Sequence, residues 1–163
     1  MSRKVSLDPG IAASTSLVET VRAILQRKGS EVWSVLPTAT VYDAIAMMAD
    51  KRVGALIVVS EGKLVGIVSE RDYARKVILK GKSSKETLVQ EIMTTPVVAI
   101  EPASTVDECM RVMTTHRIRH LPVLDGQELV GVVSIGDMVK AIIAAQAQTI
   151  DHLSNYITGK YPA

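Results

Sequence analysis

The sequence predicts a mixed α+β protein built from two copies of one structural unit, with an extra helix at each end. Short apolar runs of strand length alternate with segments whose apolar residues recur at helical spacing. The second half of the chain repeats the first at a constant offset of 65 residues. Each copy ends in an apolar run followed by Ser-x-x-Asp, at Ser69 to Asp72 and at Ser134 to Asp137.

Composition narrows the class of protein. Of the 163 residues, 47% are hydrophobic, which is enough for a packed interior, while the net charge of +2 gives no strong electrostatic case for a nucleic acid or an anionic membrane. The single cysteine, Cys109, cannot form an internal disulfide. The first residues lack the apolar core of a signal peptide, and no apolar run is long enough to span a bilayer. We therefore expect a soluble protein of the reducing cytoplasm.

The first 29 residues stand outside the repeat. Residues 1–13 show no periodicity and are expected to form a mobile arm. A helix is predicted to follow, with a capping box formed by Ser16 and Glu19 and a stop at Gly29. Its apolar face is expected to contain Leu17, Val21, Ile24 and Leu25. Such an amphipathic helix is predicted to pack on the rest of the protein or on a second subunit.

From Val32 onward the two copies align without a gap for some 35 residues. Since a register of that length is typical of a duplicated supersecondary unit, neither half is expected to fold comfortably alone. The matched pairs include Pro37 with Pro102, Val41 with Val106, Met48 with Met113, Arg52 with Arg117, Leu56 with Leu121, Gly66 with Gly131, Ser69 with Ser134, and Asp72 with Asp137.

Each repeat is interpreted as strand, helix, strand, turn, strand and helix. In the first, strands are predicted near Val32–Val35, at Ala55–Val59 and at Lys63–Val68, with helices from Thr40 and after Ser69. In the second, strands are predicted near Val97–Ile100, at Leu121–Leu124 and at Glu128–Val133, with helices from Thr105 and from Ser134. A short helical segment is expected at Leu88–Met93. The predicted divisions are an N-terminal arm and helix (1–29), a first domain (30–92), a second domain (93–147) and a C-terminal helical tail (148–163).

The Ser-x-x-Asp pattern has two interpretations. A serine at the start of a helix can accept from an unpaired backbone N–H, and an acidic residue three positions later completes a capping box that needs no ligand. Alternatively, the helix start attracts an anionic phosphate, and the carboxylate accepts hydrogen bonds from both hydroxyls of a ribose. Both interpretations apply to both copies, and they are compatible.

The repeat, its order of elements and the segment Arg119-His-Leu-Pro-Val123 resemble a pair of cystathionine-β-synthase (CBS) domains, the Bateman module, over residues 32–145. Small stand-alone bacterial members are the most similar in pattern. The resemblance implies a β-α-β-β-α fold in each unit, a pseudo-two-fold relation between the units, and a cleft that binds adenosine-containing ligands. These are AMP, ADP, ATP, NAD(H) or S-adenosylmethionine, with no metal required. It further implies a homodimer that regulates a partner protein and performs no catalysis.

The same resemblance assigns roles to residues. It implies ribose contacts from Ser69, Asp72, Ser134 and Asp137, and phosphate contacts from Arg71, Arg119 and His120. Contacts to the base, largely through the backbone, are implied for Val32, Trp33, Val53, Gly54, Ala55, Val97, Val98, Ile118 and Pro122. Trp33 is expected to be a core or interface residue rather than a stacking surface. Because Gly54-Ala55 in the first copy matches Arg119-His120 in the second, the two sites are predicted to be inequivalent.

Two other classes of function, an enzyme and a nucleic-acid binder, would use different residues. An enzyme would draw on Cys109, His116, His120, Asp137 and Lys140. However, Cys109 lies on an apolar helix face, and a helix end is predicted between the two histidines, so they would not share a face for zinc. A nucleic-acid binder would use Arg117 to His120, but only 3% of the chain is aromatic, which leaves few stacking surfaces.

Overall fold

A computed structural model describes residues 18–158, and it confirms a mixed α and β architecture with six α-helices and two small sheets in that part of the chain. The first sheet has the order β1-β2-β3 and the second pairs β4 with β5. In chain order the elements are α1 (Val21–Lys28), β1 (Ser34–Val35), α2 (Val41–Lys51), β2 (Ala55–Ser60), β3 (Lys63–Ser69), α3 (Glu70–Lys76), a 3₁₀ turn (Ile78–Lys80), α4 (Val89–Ile92), α5 (Val106–His116), β4 (His120–Asp125), β5 (Glu128–Ser134) and α6 (Ile135–Ile157).

The chain divides into two compact bodies, each assembled from separate stretches. The helical body contains α1, α5 and α6, from residues 18–28, 102–119 and 133–158. The sheet body contains Gly29–Glu101 and His120–Val132, and therefore β1 to β4, most of β5, and α2 to α4. The sequential domain boundaries at residues 29, 92 and 147 remain a prediction.

In the helical body, α1 is tied to the start of α5 by main-chain hydrogen bonds. Val21 N donates to Ser104 O at 2.8 Å, and Val106 N donates to Glu19 O at 2.9 Å. The apolar face of α1 is buried, as are the inward faces of α5 and α6. The buried residues are Val21, Ile24 and Leu25 of α1, Val106, Cys109 and Met113 of α5, and Met138, Ala141 and Ala145 of α6.

In the sheet body, β2 is the central strand of the first sheet. It runs parallel to β1 and antiparallel to β3, with an irregularity between Val58 and Val59. The helices α2 and α4 bury their apolar residues against this sheet, which gives one continuous core. The core residues are Val35, Val41, Ala44, Met48, Leu56, Val58, Val68, Val77, Val89 and Ile92.

The 65-residue repeat is visible as equivalent hydrogen bonds. Thr40 and Thr105 cap α2 and α5 by accepting from Asp43 N and Glu108 N. The two helices end in the same way, since Arg52 and Arg117 both adopt the left-handed conformation and both donate their N–H to a methionine carbonyl. Because the same local sequence signals produce the same local geometry, the predicted duplication is confirmed at the level of individual bonds.

Two predicted elements were wrong in their bounds. The strand predicted near Val97–Ile100 is reduced to a single parallel bridge between Ile100 and Val123. The first helix begins at Val21, and Glu19 precedes it in extended chain paired with the α5 start, so Glu19 is not part of a capping box. Thr20 Oγ1 instead accepts from Ala23 N at 3.3 Å. The predicted arm at residues 1–13, Ser16, Leu17, and the tail beyond Thr158 lie outside the described residues.

Candidate functional site

The first Ser-x-x-Asp motif forms a complete capping box at the start of α3. Asp72 N donates to Ser69 Oγ at 3.2 Å, and Ser69 N donates to Asp72 Oδ2 at 2.9 Å. The Ser69 hydroxyl also donates to Oδ2, at 3.0 Å. Lys76, one turn further along, pairs with Asp72 Oδ1 at 3.0 Å and donates to Ile92 O at 2.8 Å. The carboxylate is therefore held by its own helix on both oxygens.

The second motif repeats the capping box at the start of α6. Asp137 N donates to Ser134 Oγ at 3.3 Å, and Ser134 N donates to Asp137 Oδ2 at 2.8 Å. Here the paired lysine comes from outside the repeat, because Lys28 Nζ at the end of α1 lies 2.7 Å from Asp137 Oδ2. The capping interpretation of the motif is thus confirmed in both copies. Capping leaves the ligand role of the two aspartates a prediction.

Lys28 also changes the acidity of Asp137. Burial of the carboxyl raises its pKa, but hydrogen bonds from Lys28 and Ser134 and the charge of Lys28 outweigh that effect, so that the pKa of Asp137 is lowered overall. The carboxyl is therefore ionised at neutral pH. An ionised carboxylate is an acceptor only, as binding to ribose hydroxyls requires.

In each copy, the residue at the start of the middle strand is tied to the helix start. Glu70 N donates to Gly54 O at 3.0 Å, and the equivalent Ile135 N donates to Arg119 O at 2.8 Å. The structure thereby brings Gly54 next to Ser69, and Arg119 next to Ser134. The assignment of these residues to ligand sites stays a prediction.

Arg119 and His120 are adjacent in sequence but make different contacts. In the sheet body, the His120 ring lies against Gly54, and a Cβ added to Gly54 would be 3.2 Å from both Cε1 and Nε2 of the ring. Glu70 Oε1 lies 3.8 Å from the same point. His120 therefore lies close to the first motif, whereas the backbone of Arg119 is bonded at the second. Arg71 is half-buried in the first turn of α3.

Most of the residues predicted to surround the base are half-buried and lie in or next to a strand. The Trp33 carbonyl accepts from Ile57 N, and the indole ring packs against the core with Lys51 Nζ 4.3 Å from its centroid. Val53 and Ile118 occupy equivalent places, each donating its N–H to a methionine carbonyl. Pro122 is buried and its carbonyl accepts from Ile100 N. Val32, Ala55, Val97 and Val98 are partly exposed.

Two residues at the motifs were not predicted from the sequence to have a role there. Glu70 lies beside Gly54 and carried no recognisable signal. Lys28 lies 109 residues from its partner, so no local spacing could find it. One indirect signal exists: Lys76 matches Ala141 in the second repeat, so Asp137 lacks the lysine four residues later that pairs with Asp72.

The structure places the cysteine and the two histidines that were considered for catalysis. Cys109 is fully buried, and burial together with the charge of Glu108 raises the pKa of its thiol to about 11, so the thiolate is scarce at neutral pH. His116 ends α5 and His120 begins β4, so a helix end lies between the two histidines, as predicted. Among residues 18–158, no cluster of three or more His, Cys, Asp or Glu could hold a metal ion. In the same range no helix has the length and apolarity needed to cross a bilayer.

Comparison with known proteins identifies the family. The profile of the CBS domain matches residues 1–78 and 89–144, so this chain belongs to the CBS-domain family. A mitochondrial CBS domain-containing protein of Arabidopsis thaliana, CBSX3, is 43% identical over 138 residues. That alignment covers 82% of this chain and 66% of the plant protein, slightly less than two thirds of its length.

Solved structures agree with this assignment. A CBS-domain protein from Burkholderia ambifaria MC40-6 is 54% identical, with a TM-score of 0.76, and the match covers 77% of this chain and 95% of that one. The CBS domain pair of protein MJ0100 is 26% identical, with a TM-score of 0.70 and coverage of 78% and 98%. That structure is a complex with 5′-methylthioadenosine and S-adenosyl-L-methionine.

Proposed function

We propose that this chain is a regulatory module that binds adenosine-containing ligands, AMP, ADP, ATP or NAD(H), at its two Ser-x-x-Asp motifs and performs no catalysis. The observation that carries the proposal is the duplicated arrangement of a capped helix start and an aspartate held in place by its own helix. Two carboxylates in equivalent places suit two riboses, and the bound adenosyl compounds of MJ0100 support the ligand class.

Ligand binding would regulate a partner protein by changing the conformation of the module. Ligand binding shifts an equilibrium between two states only if the affinities for the two states differ. We infer that the module regulates a partner protein in the same compartment, which we predict to be the cytoplasm. We further infer that the working assembly is a homodimer. The exposed apolar residues of α6 support a second copy as the occupant of that surface.

Calorimetric titration with AMP tests the ribose assignment. In Asp72→Asn and Asp137→Asn, an amide replaces the carboxylate with little change in shape, and each variant is expected to weaken one of two binding events. A charge-assisted hydrogen bond contributes about 1.5–3 kcal/mol, so affinity at the altered site should fall on the order of ten- to a hundredfold.

Asp107→Asn is the matched control, because Asp107 is also paired with a basic residue, Arg111, on an exposed helix face. It should bind AMP as the unaltered protein does. Unchanged AMP binding in both Asp72→Asn and Asp137→Asn would refute the assignment. Mass spectrometry of the nucleotide that copurifies, followed by a thermal-shift series over AMP, ADP, ATP, NAD and S-adenosylmethionine, would identify the ligand, since native-state binding raises stability with concentration.

A nucleic acid as the ligand remains the alternative. A salt-dependent gel shift with single-stranded RNA or DNA would favour it over the proposal if nucleotides failed to bind.

A further inference from the structure

The two aspartates are paired with lysines of different origin. Asp72 pairs with Lys76 of its own helix, at four residues' separation. Asp137 pairs with Lys28, the last residue of a helix outside the repeat, and the position equivalent to Lys76 is the buried Ala141. The cation paired with the aspartate of the second motif therefore comes from α1, whereas that of the first motif comes from its own helix.

Lys28 carries its charge at the end of a flexible side chain on an anchored helix. Helix α1 buries Val21, Ile24 and Leu25 and is bonded through Val21 N and Arg22 N to the chain that precedes α5. The Lys28 side chain is 38% exposed. A lysine carries its charge on a flexible four-carbon stem. The ammonium can therefore leave one anion for another nearby without moving the helix.

The hydrogen bonds that Asp137 already accepts show which contact a ribose would displace. Oδ2 already accepts from Ser134 N at 2.8 Å and from Lys28 Nζ at 2.7 Å, which uses both of its lone pairs. The bond from Ser134 belongs to the cap of α6 and stays with the helix. A ribose whose two hydroxyls bind both carboxylate oxygens must therefore take the place of Lys28 on Oδ2. At Asp72, by contrast, Lys76 is on Oδ1 and is held by a second acceptor, Ile92 O.

We propose that Lys28 is a specificity-determining residue of the second site, which makes that site select adenosine ligands with a 5′-phosphate over uncharged nucleosides. The inference rests on the proposed function and deepens it. When the ribose displaces the ammonium, a phosphate of the same ligand offers it a replacement anion. An uncharged nucleoside breaks the Lys28–Asp137 ion pair and offers no replacement anion.

Titration of AMP and of adenosine into Lys28→Met tests this inference. The background is Asp72→Asn, so that the second site is observed alone. Loss of the ammonium is expected to weaken AMP on the order of tenfold, because a charge-assisted contact is lost. Adenosine is expected to bind up to about fivefold more tightly, because no half-exposed ion pair must be broken. The two ligands thus move in opposite directions, and the preference for AMP collapses.

The controls separate this role from support of the fold. Arg27→Met removes a charge from the same last turn of α1, where Arg27 pairs with Glu19, and should leave both affinities unchanged. Lys28→Arg keeps the charge and should retain the preference for AMP. A shift of AMP and adenosine in the same direction in Lys28→Met, or an unchanged ratio of their affinities, would overturn the inference while AMP binding to the parent protein upheld the proposed function. A parent protein that binds neither ligand would overturn both.

Discussion

At the scale of single residues, Asp137 combines two tasks through one carboxylate. It completes the cap of α6 and holds the ammonium of Lys28, with its side chain only 14% exposed. Each interaction favours the ionised form, and together they outweigh the cost of burial, which is why the pKa of Asp137 is lowered. A carboxyl with these contacts couples the stability of the fold to pH.

The pH dependence of stability has a definite sign. Because the pKa of Asp137 is lower in the folded chain than in the unfolded one, its ionised form stabilises the fold above the ordinary aspartate value of roughly 3.9. This contribution is lost as the pH falls through the folded-state pKa. In urea unfolding, the free-energy difference between the parent protein and Asp137→Asn should be constant near neutral pH and shrink below about pH 4.

Lys28→Met is the control for this coupling, since it removes one cause of the lowered pKa and should narrow the pH range of the effect. A difference in unfolding free energy that stays the same from neutral to acidic pH would contradict the prediction.

At the scale of elements, the repeat preserves helix termini more faithfully than strands. Thr40 and Thr105 cap equivalent helices, and Ser69 and Ser134 cap the next pair. The first strand differs between the copies, because β1 forms a two-residue ladder and its counterpart forms one bridge at Ile100. Caps depend on residues within four positions, whereas a short strand depends on its neighbour in space.

Gly66 of β3 illustrates packing between elements. A Cβ at this position would lie 2.6 Å from Met93 Sδ and 3.0 Å from Met93 Cγ, so a side chain here would require the methionine after α4 to shift. Gly66→Ala is expected to lower the unfolding free energy by about 1–2 kcal/mol. A rigid neighbour would make this loss larger, whereas the flexible Met93 side chain can partly adjust. Chemical denaturation measures the change.

The double variant Gly66→Ala with Met93→Ala isolates the cause. If the clash is with Met93, the alanine at position 66 should cost much less in the Met93→Ala background. Gly136→Ala serves as the comparison, because its added Cβ would meet only Ser134 Oγ, at an ordinary 3.5 Å. An equal cost of Gly66→Ala in both backgrounds would rule out this packing explanation.

At the scale of the whole molecule, α6 extends well past the part that is buried. Its last buried residue is Ala145, yet the helix continues to Ile157. Ile143, Ile150, Leu153 and Ile157 are between 58% and 82% exposed and recur at helical spacing along one side. Such a stripe of apolar residues is typical of an interface, and it underlies our proposal of a homodimer.

Leu153→Glu and Ile150→Glu test that proposal. A carboxylate placed in an apolar interface would be buried without a partner, so each variant is expected to shift the protein towards monomer by tenfold or more in dissociation constant. Sedimentation velocity over a range of concentrations measures the shift. Gln148→Glu, on another side of the same helix, should leave the assembly unchanged. Dimers of equal stability in all three variants would exclude this surface.

Local signals account for what could be predicted of the site. The serine caps and the aspartates three residues later follow from spacing alone, and the structure confirms both capping boxes. The contact of His120 with Gly54 and the position of Glu70 could not be predicted, because they depend on how β4 packs in the sheet body. The start of α1 was misplaced for a similar reason, since Glu19 pairs with the α5 start some 87 residues away.

The sequence by itself determined the duplication, the fold class, the starts of α2, α3, α5 and α6, and the two carboxylates at the heads of α3 and α6, because each depends on periodicity or on residues within one turn. Only the tertiary structure decided which cation each carboxylate receives. Asp72 takes Lys76 from its own helix, while Asp137 takes Lys28 from a segment 109 residues away. The pairing follows from the docking of α1 through its buried apolar face, and because burial of that kind is non-directional, the apolar spacing does not show which surface the helix covers.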